Sequence, residues 1–108
     1  MIQLRISEAA ALTILEQAEY YRQASCDTLA QRWEVAVEEI VLSLLNAPER
    51  GARCRFRSAA LRDLRWVLVP GFPKHMVFYR FLESEEVIHI VQVLHGARDL
   101  ETLLDEEP

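Results

Sequence analysis

"HMVFYRFLESEEVIHIVQVLH", residues 75–95, decides the fold. Two runs rich in β-branched and aromatic residues, 75–82 and 87–94, flank the polar link Glu83-Ser84-Glu85-Glu86. Such residues suit a pleated, half-buried surface, and a four-residue polar link between two runs predicts a hairpin. The second run is the most apolar in the chain, which predicts a central place in the sheet. Upstream, residues 61–69 alternate, with Leu64, Trp66 and Leu68 on one side and Arg65, Val67 and Val69 on the other. This predicts a third strand, cut off from the hairpin by Pro70-Gly71-Phe72-Pro73. Three consecutive strands with short links form an antiparallel meander, which needs a second layer to cover one face.

The N-terminal half supplies that layer. Residues 2–6 alternate and predict a short strand. Ser7 stands where a helix N-cap belongs, with Glu8 in the first turn near the positive helix end. Apolar residues at helical spacing then predict a helix over 8–24. Asp27 is a second N-cap candidate, and Leu29, Trp33, Val37, Ile40 and Leu44 form one stripe that predicts a helix to about Asn46, closed by Pro48. A short link between two helices implies an antiparallel hairpin. After the turn Pro48-Glu49-Arg50-Gly51, the alternation of Arg53, Arg55 and Arg57 with Cys54, Phe56 and Ser58 reads as strand spacing. Asp99 is suited to cap an expected short C-terminal helix in which Leu100, Leu103 and Leu104 would share a face. The expected order is β-α-α-β-β-β within one domain, 1–108. The expected class is a two-layer α+β fold, with an antiparallel sheet packed against a helical hairpin and a short last helix.

Composition narrows the function classes. Hydrophobic residues make up 51% of the chain, ample for a packed core and too many for disorder. No apolar run reaches the ~20 residues that cross a bilayer, and the N-terminus lacks a signal-peptide pattern. Cys26 and Cys54 form no CxxC, so a reduced cytoplasmic protein without a structural metal is expected. The net charge of −5 conceals strong segregation: residues 1–49 carry −5, residues 50–80 carry +7, and residues 81–108 carry −7. A local cationic field can hold an anionic partner even on an acidic protein, although pairing with the acidic segments is the simpler reading.

Candidate chemistry lies on the sheet and its ends. Arg53, Arg55 and Arg57 form a row of fork-shaped donors, extended by Arg62 and Arg65, that suits phosphates or carboxylates or keeps an edge strand from pairing. His75, His89 and His95 have no metal-ligand spacing. His89 sits inside an apolar strand and reads as a satisfied sheet residue. His95 stands at a strand end beside Gly96 and Arg98, where a general acid or base is chemically reasonable and a structural role is commoner. Tyr20-Tyr21 and Trp33 read as the core and rim of the helical hairpin. No GxGxxG, P-loop, GxSxG or HExxH occurs, and no cofactor is expected.

Taken together, "GFPKHMVFYRF" (71–81) and "VIHIVQVLHGARDL" (87–100), preceded by "AEYYRQAS" (18–25) and "LLNAPERG" (44–51), resemble the ParE branch of the ParE/RelE toxin superfamily of type II toxin–antitoxin modules. The resemblance covers nearly the whole chain. It implies the same small α+β fold, a cognate antitoxin that folds on the toxin as a hetero-oligomer, and a role in plasmid stabilization. ParE-like members are implied to be non-enzymatic inhibitors that bind DNA gyrase and trap it on DNA. On this reading Arg62, Arg65, Arg80 and Arg98 are the expected target-binding residues. RelE-like members instead cleave mRNA on the ribosome. Under that alternative His95, Arg80, Tyr79 and Arg98 would be catalytic, although Met76 occupies the strand position where RelE-like members often carry Arg. A third alternative is an inactive member that only binds antitoxin.

Overall fold

The computed structural model describes residues 1–96 and Leu104. Its elements are β1 (Gln3–Ile6), α1 (Glu8–Ala24), α2 (Asp27–Ser43), β2 (Ala52–Arg53), β3 (Arg65–Val69), β4 (Phe72–Leu82) and β5 (Val87–His95), with 3₁₀ turns at Ala59–Leu61 and Glu83–Glu85. The five strands lie in the order β1-β5-β4-β3-β2. The meander β3-β4-β5 is antiparallel as expected, and β4 is its centre. The sheet is nevertheless mixed. β1 pairs parallel to β5, with Gln3 opposite Val87 and Ile6 opposite Ile90. The helical hairpin carries the chain back over the sheet, so the first strand meets the last, a neighbour that chain order alone does not identify.

Ser7 is the cap the sequence suggests. Its Oγ accepts the Ala10 N–H at 3.0 Å and its hydroxyl donates to the Val91 carbonyl at 2.7 Å, pinning the start of α1 to β5. α2 differs at both ends. Cys26, not Asp27, holds the extended cap position; Asp27 is already helical and meets the Arg22 guanidinium at 3.3 Å. At the other end α2 stops at Ser43 rather than Asn46. The N–H groups of Leu44, Leu45 and Asn46 bond three residues back, a tightening that releases the chain toward Pro48.

The core has two parts. Between helices and sheet lie Trp33, Val37, Ile40 and Leu44 of the α2 stripe, with Val67, Val69, Val77, Tyr79, Ile88, Ile90 and Val93. Trp33 is fully buried and its indole N–H donates to the Ile14 carbonyl at 3.0 Å, joining the two helices. On the other face Cys54, Leu61, Leu64, Phe78, Val91, Leu94 and Leu104 form a second cluster. Two of the sequence expectations change here. Residues 61–64 are a 3₁₀ turn and its exit, and pairing begins only at Arg65. The arginine row 53–57 is a strand only at Ala52–Arg53. Cys54 donates its N–H to Leu64 and turns its thiol into the second cluster, so the chain leaves the sheet to cover its outer face. The proposed C-terminal helix, with Asp99, Leu100 and Leu103, lies outside the described residues, Leu104 apart.

A bulge sets which side chains meet. Phe78 pairs with Gln92 and Tyr79 with Ile90, so Val91 is an extra residue on β5. Ile88 and Ile90 face the helices, Val91 faces away, and Val93 faces the helices again. Gln92 is buried in an apolar strand, and its side-chain oxygen accepts the Val93 N–H at 2.9 Å. Because the bulge shifts the alternation by one residue, His95 shares the helix side with Val93.

Candidate functional site

Three side chains from β3 and β4 fasten the arginine-bearing segment to the sheet. The Tyr79 hydroxyl donates to the Pro48 carbonyl at 2.8 Å and accepts the Gly51 N–H at 2.9 Å. Arg65, beside it in register, donates to the carbonyls of Glu49 at 3.0 Å and Gly51 at 2.9 Å. Arg80 points to the other face, where it pairs with Asp63 at 2.9 Å and donates to the Ala60 carbonyl. Gly51 is required by closeness: a Cβ there would lie 2.6 Å from the Tyr79 oxygen and 2.7 Å from its ring. Burial pushes the Tyr79 phenol above its ordinary pKa, partly countered by the Gly51 N–H and the Arg65 charge. A buried, doubly bonded phenol of that kind is a strut, and as a proton donor it is poorly placed.

The other feature is an open cleft at the opposite end of β4, about 550 Å³, walled by Gln17, Tyr20 and Tyr21 of α1, the Gly71–Lys74 stretch, His75 and His95. His75 and His95 are direct cross-strand partners, with ring centroids 5.3 Å apart. His75 also stands edge-on to Trp33 at 4.8 Å, and Phe72 touches both Trp33 and Tyr21. Burial, and next the nearby His95, push the His75 pKa down. The sequence reading gave His75 and Phe72 no role. The cross-strand pairing that joins the imidazoles follows from hairpin register, which composition does not reveal.

The sequence-nominated residues therefore fall in separate places. Tyr79 and Arg80 lie on opposite faces, and His95 is opposite His75, four residues along β4 from Tyr79, or about 13 Å at ~3.3 Å per residue. Arg62 is exposed at the end of the 3₁₀ turn. Arg98 lies outside the described residues. Among the described residues no three His, Cys, Asp or Glu side chains are grouped to hold a metal ion, and no helix is long and apolar enough to cross a membrane. A third surface was not foreseen. β1 and α2 bound an apolar groove of about 350 Å³, lined by Leu4, Ile6, Ile14, Val41 and Leu42 and rimmed by Glu34 and Glu38. Leu12, Leu15 and Val35 add exposed apolar side chains to the helical hairpin.

Comparison with known proteins gives the chain a lineage. Residues 4–100 match the family model described as the ParE toxin of the type II toxin–antitoxin system, parDE. Among solved structures the chain resembles the chromosomal ParDE toxin–antitoxin system of P. aeruginosa, with a TM-score of 0.71 and 16% identity over 88% of this chain and 96% of that one. It also resembles the intact E. coli RelBE toxin–antitoxin complex, with a TM-score of 0.55 and 13% identity over 91% of this chain and 100% of that one. The isolated E. coli RelE toxin gives 0.54 and 13% over 98% and 97%. A search of curated protein sequences gave no match. At these identities the structural likeness establishes the α+β fold alone.

Proposed function

This chain belongs to the ParE toxin family of type II toxin–antitoxin systems, and on that premise we propose that it acts in the cytoplasm by binding DNA gyrase and blocking replication until a cognate antitoxin neutralises it. In such a module it would serve plasmid stabilization or its chromosomal counterpart. The observation that carries the reading is the family match over residues 4–100. The geometry supports it against mRNA cleavage. Cutting RNA by 2′-hydroxyl attack needs a base, a leaving-group acid and a cation converging on one phosphate. Here the Tyr79 hydroxyl is spent on Pro48 and Gly51, the Arg80 guanidinium is held by Asp63 and Ala60, and His95, at the end of β5, stands opposite His75, four residues along β4 from Tyr79.

Inhibition by surface contact requires no such convergence. The proposed target contacts are Arg98, the exposed Arg62, and the faces of the partly exposed Arg65 and Arg80 left outside their bonds to Glu49, Gly51, Asp63 and Ala60. The antitoxin is assigned to the groove beside β1 and the exposed apolar residues of the helical hairpin, where a segment that folds on binding can bury Leu and Ile side chains. Glu34 and Glu38 at the rim favour a segment carrying Lys or Arg. The test is a pair of assays on the purified chain. Gyrase supercoiling should be inhibited and then restored by the antitoxin, while ribosome-bound mRNA stays intact. Intact gyrase activity together with mRNA cleavage lost on His95→Ala would replace this proposal with the nuclease reading.

A further inference from the structure

We propose that the outer edge of the sheet at β2, together with the turn that follows it, is a contact surface for the phosphate backbone of duplex DNA, built on Arg53, Arg55 and Arg62. This deepens the gyrase reading by giving the toxin its own hold on the DNA.

The case begins with charge. Between residues 50 and 80 the only acid is Asp63, against seven Arg and Lys74. Arg80 occupies that carboxylate. Among the described residues, none of the ion pairs involves Arg53, Arg55 or Arg62. All three are exposed. The edge is also tied to the sheet and the second core cluster. Cys54 is bonded to Leu64 and buried, so Arg53 and Arg55 flank a fixed point, and the Tyr79, Arg65 and Arg80 bonds hold the chain on both sides of it. Pre-positioned guanidinium groups lose less freedom on meeting an anion than groups on a loose loop.

The shape favours a duplex. Single-stranded nucleic acid is gripped by aromatic faces on which bases stack. The one aromatic inside the row, Phe56, packs inward toward Phe78 at 6.5 Å. An acidic peptide that folds on binding needs an apolar groove, and the groove described above lies beside β1, the opposite edge of the sheet. Cations on a firm edge without base-reading groups match a backbone contact, which positions a protein on DNA without specifying sequence. The acidic turn Glu83–Glu85 lies about 10 Å beyond Arg80 along β4, near the screening length at physiological salt, so it weakens this field, and Glu49, near enough to act on Tyr79, has the Arg50 and Arg65 charges beside it.

The test is fluorescence anisotropy of a labelled, sequence-neutral duplex with the full chain across a salt series. Binding should weaken steeply with salt. Arg53→Gln/Arg55→Gln should make the log–log salt slope shallower by about 2, and adding Arg62→Gln by about one more. The charge-matched control Arg5→Gln/Arg32→Gln, which alters exposed residues of β1 and α2, should leave the slope unchanged. Thermal unfolding of each variant checks the fold. No binding at low salt, an equal loss in the control, or displacement by poly-glutamate as readily as by unlabelled duplex would each overturn the assignment. Gyrase inhibition by a chain that does not bind duplex rejects this surface alone. Duplex binding by a chain that does not inhibit gyrase rejects the functional reading and leaves the surface in place.

Discussion

Replacing Tyr79 by Phe isolates the strut on which the arginine-bearing segment depends. The ring of Tyr79 is fully buried and would stay in place, so the change removes an oxygen and two hydrogen bonds without opening a side-chain-sized void. The Gly51 N–H is buried and loses its acceptor, a loss of about 1–3 kcal/mol for an orphaned donor. The Pro48 carbonyl is only partly buried, so water recovers most of its bond. The net destabilisation is about 2 kcal/mol, which for a domain of this size lowers Tm by roughly 8–12 °C. Urea unfolding followed by tryptophan fluorescence should show a lower midpoint with an unchanged m-value. The native variant should inhibit gyrase as well as the parent does at temperatures below its melting. A Tyr79→Phe chain as stable as the parent would refute the strut. Lost activity at full stability would instead point to a chemical role for the hydroxyl.

Gly51→Ala should be more damaging than Tyr79→Phe, because its methyl meets both the Tyr79 hydroxyl and the Trp66 carbonyl; a drop in soluble yield and Tm is the readout. Stability should fall as acid reaches His75. Its folded pKa is depressed, so its contribution is present above the unfolded value of about 6.5 and is lost as pH falls through the folded one. Unfolding midpoints between pH 7 and 5 should decline less steeply in His75→Gln. The thiols should separate: Cys26 is exposed and its pKa is lowered, first by the Leu29 N–H and then by the Ser25 hydroxyl, whereas burial pushes Cys54 up to about 11. A thiol reagent at neutral pH should label one site quickly, and Cys26→Ser should abolish that phase.

How much of this was legible in the residues depends on the range of the forces. Ser7, the α2 stripe and the 75–95 hairpin are local signals, and each gave its element within a few residues. The parallel pairing of β1 with β5 joins the two ends of the chain and leaves no local trace. The bulge at Val91 is hidden because a strand buried on both faces has no alternation to interrupt; the buried Gln92 is the one residue that hints at it. The arginine alternation at 53–57 looked like strand spacing, yet the second core drew Cys54 and Phe56 inward and ended the pairing after Arg53. The same contacts separated the nominated site residues. Tyr79, Arg65 and Arg80 were singled out for their chemistry, and the structure gives all three bonds to the 48–63 segment that residue type alone could not foretell.

The proposed inhibition is by contact with gyrase on DNA, with no bond broken by the toxin itself. The most direct measurement mixes purified chain, gyrase and plasmid, stops the reaction with detergent, and resolves the DNA on a gel. Contact inhibition predicts linear plasmid covalently held by gyrase, increasing with toxin and undiminished in His95→Ala. Supercoiling that proceeds untouched at stoichiometric excess of the folded chain would contradict it.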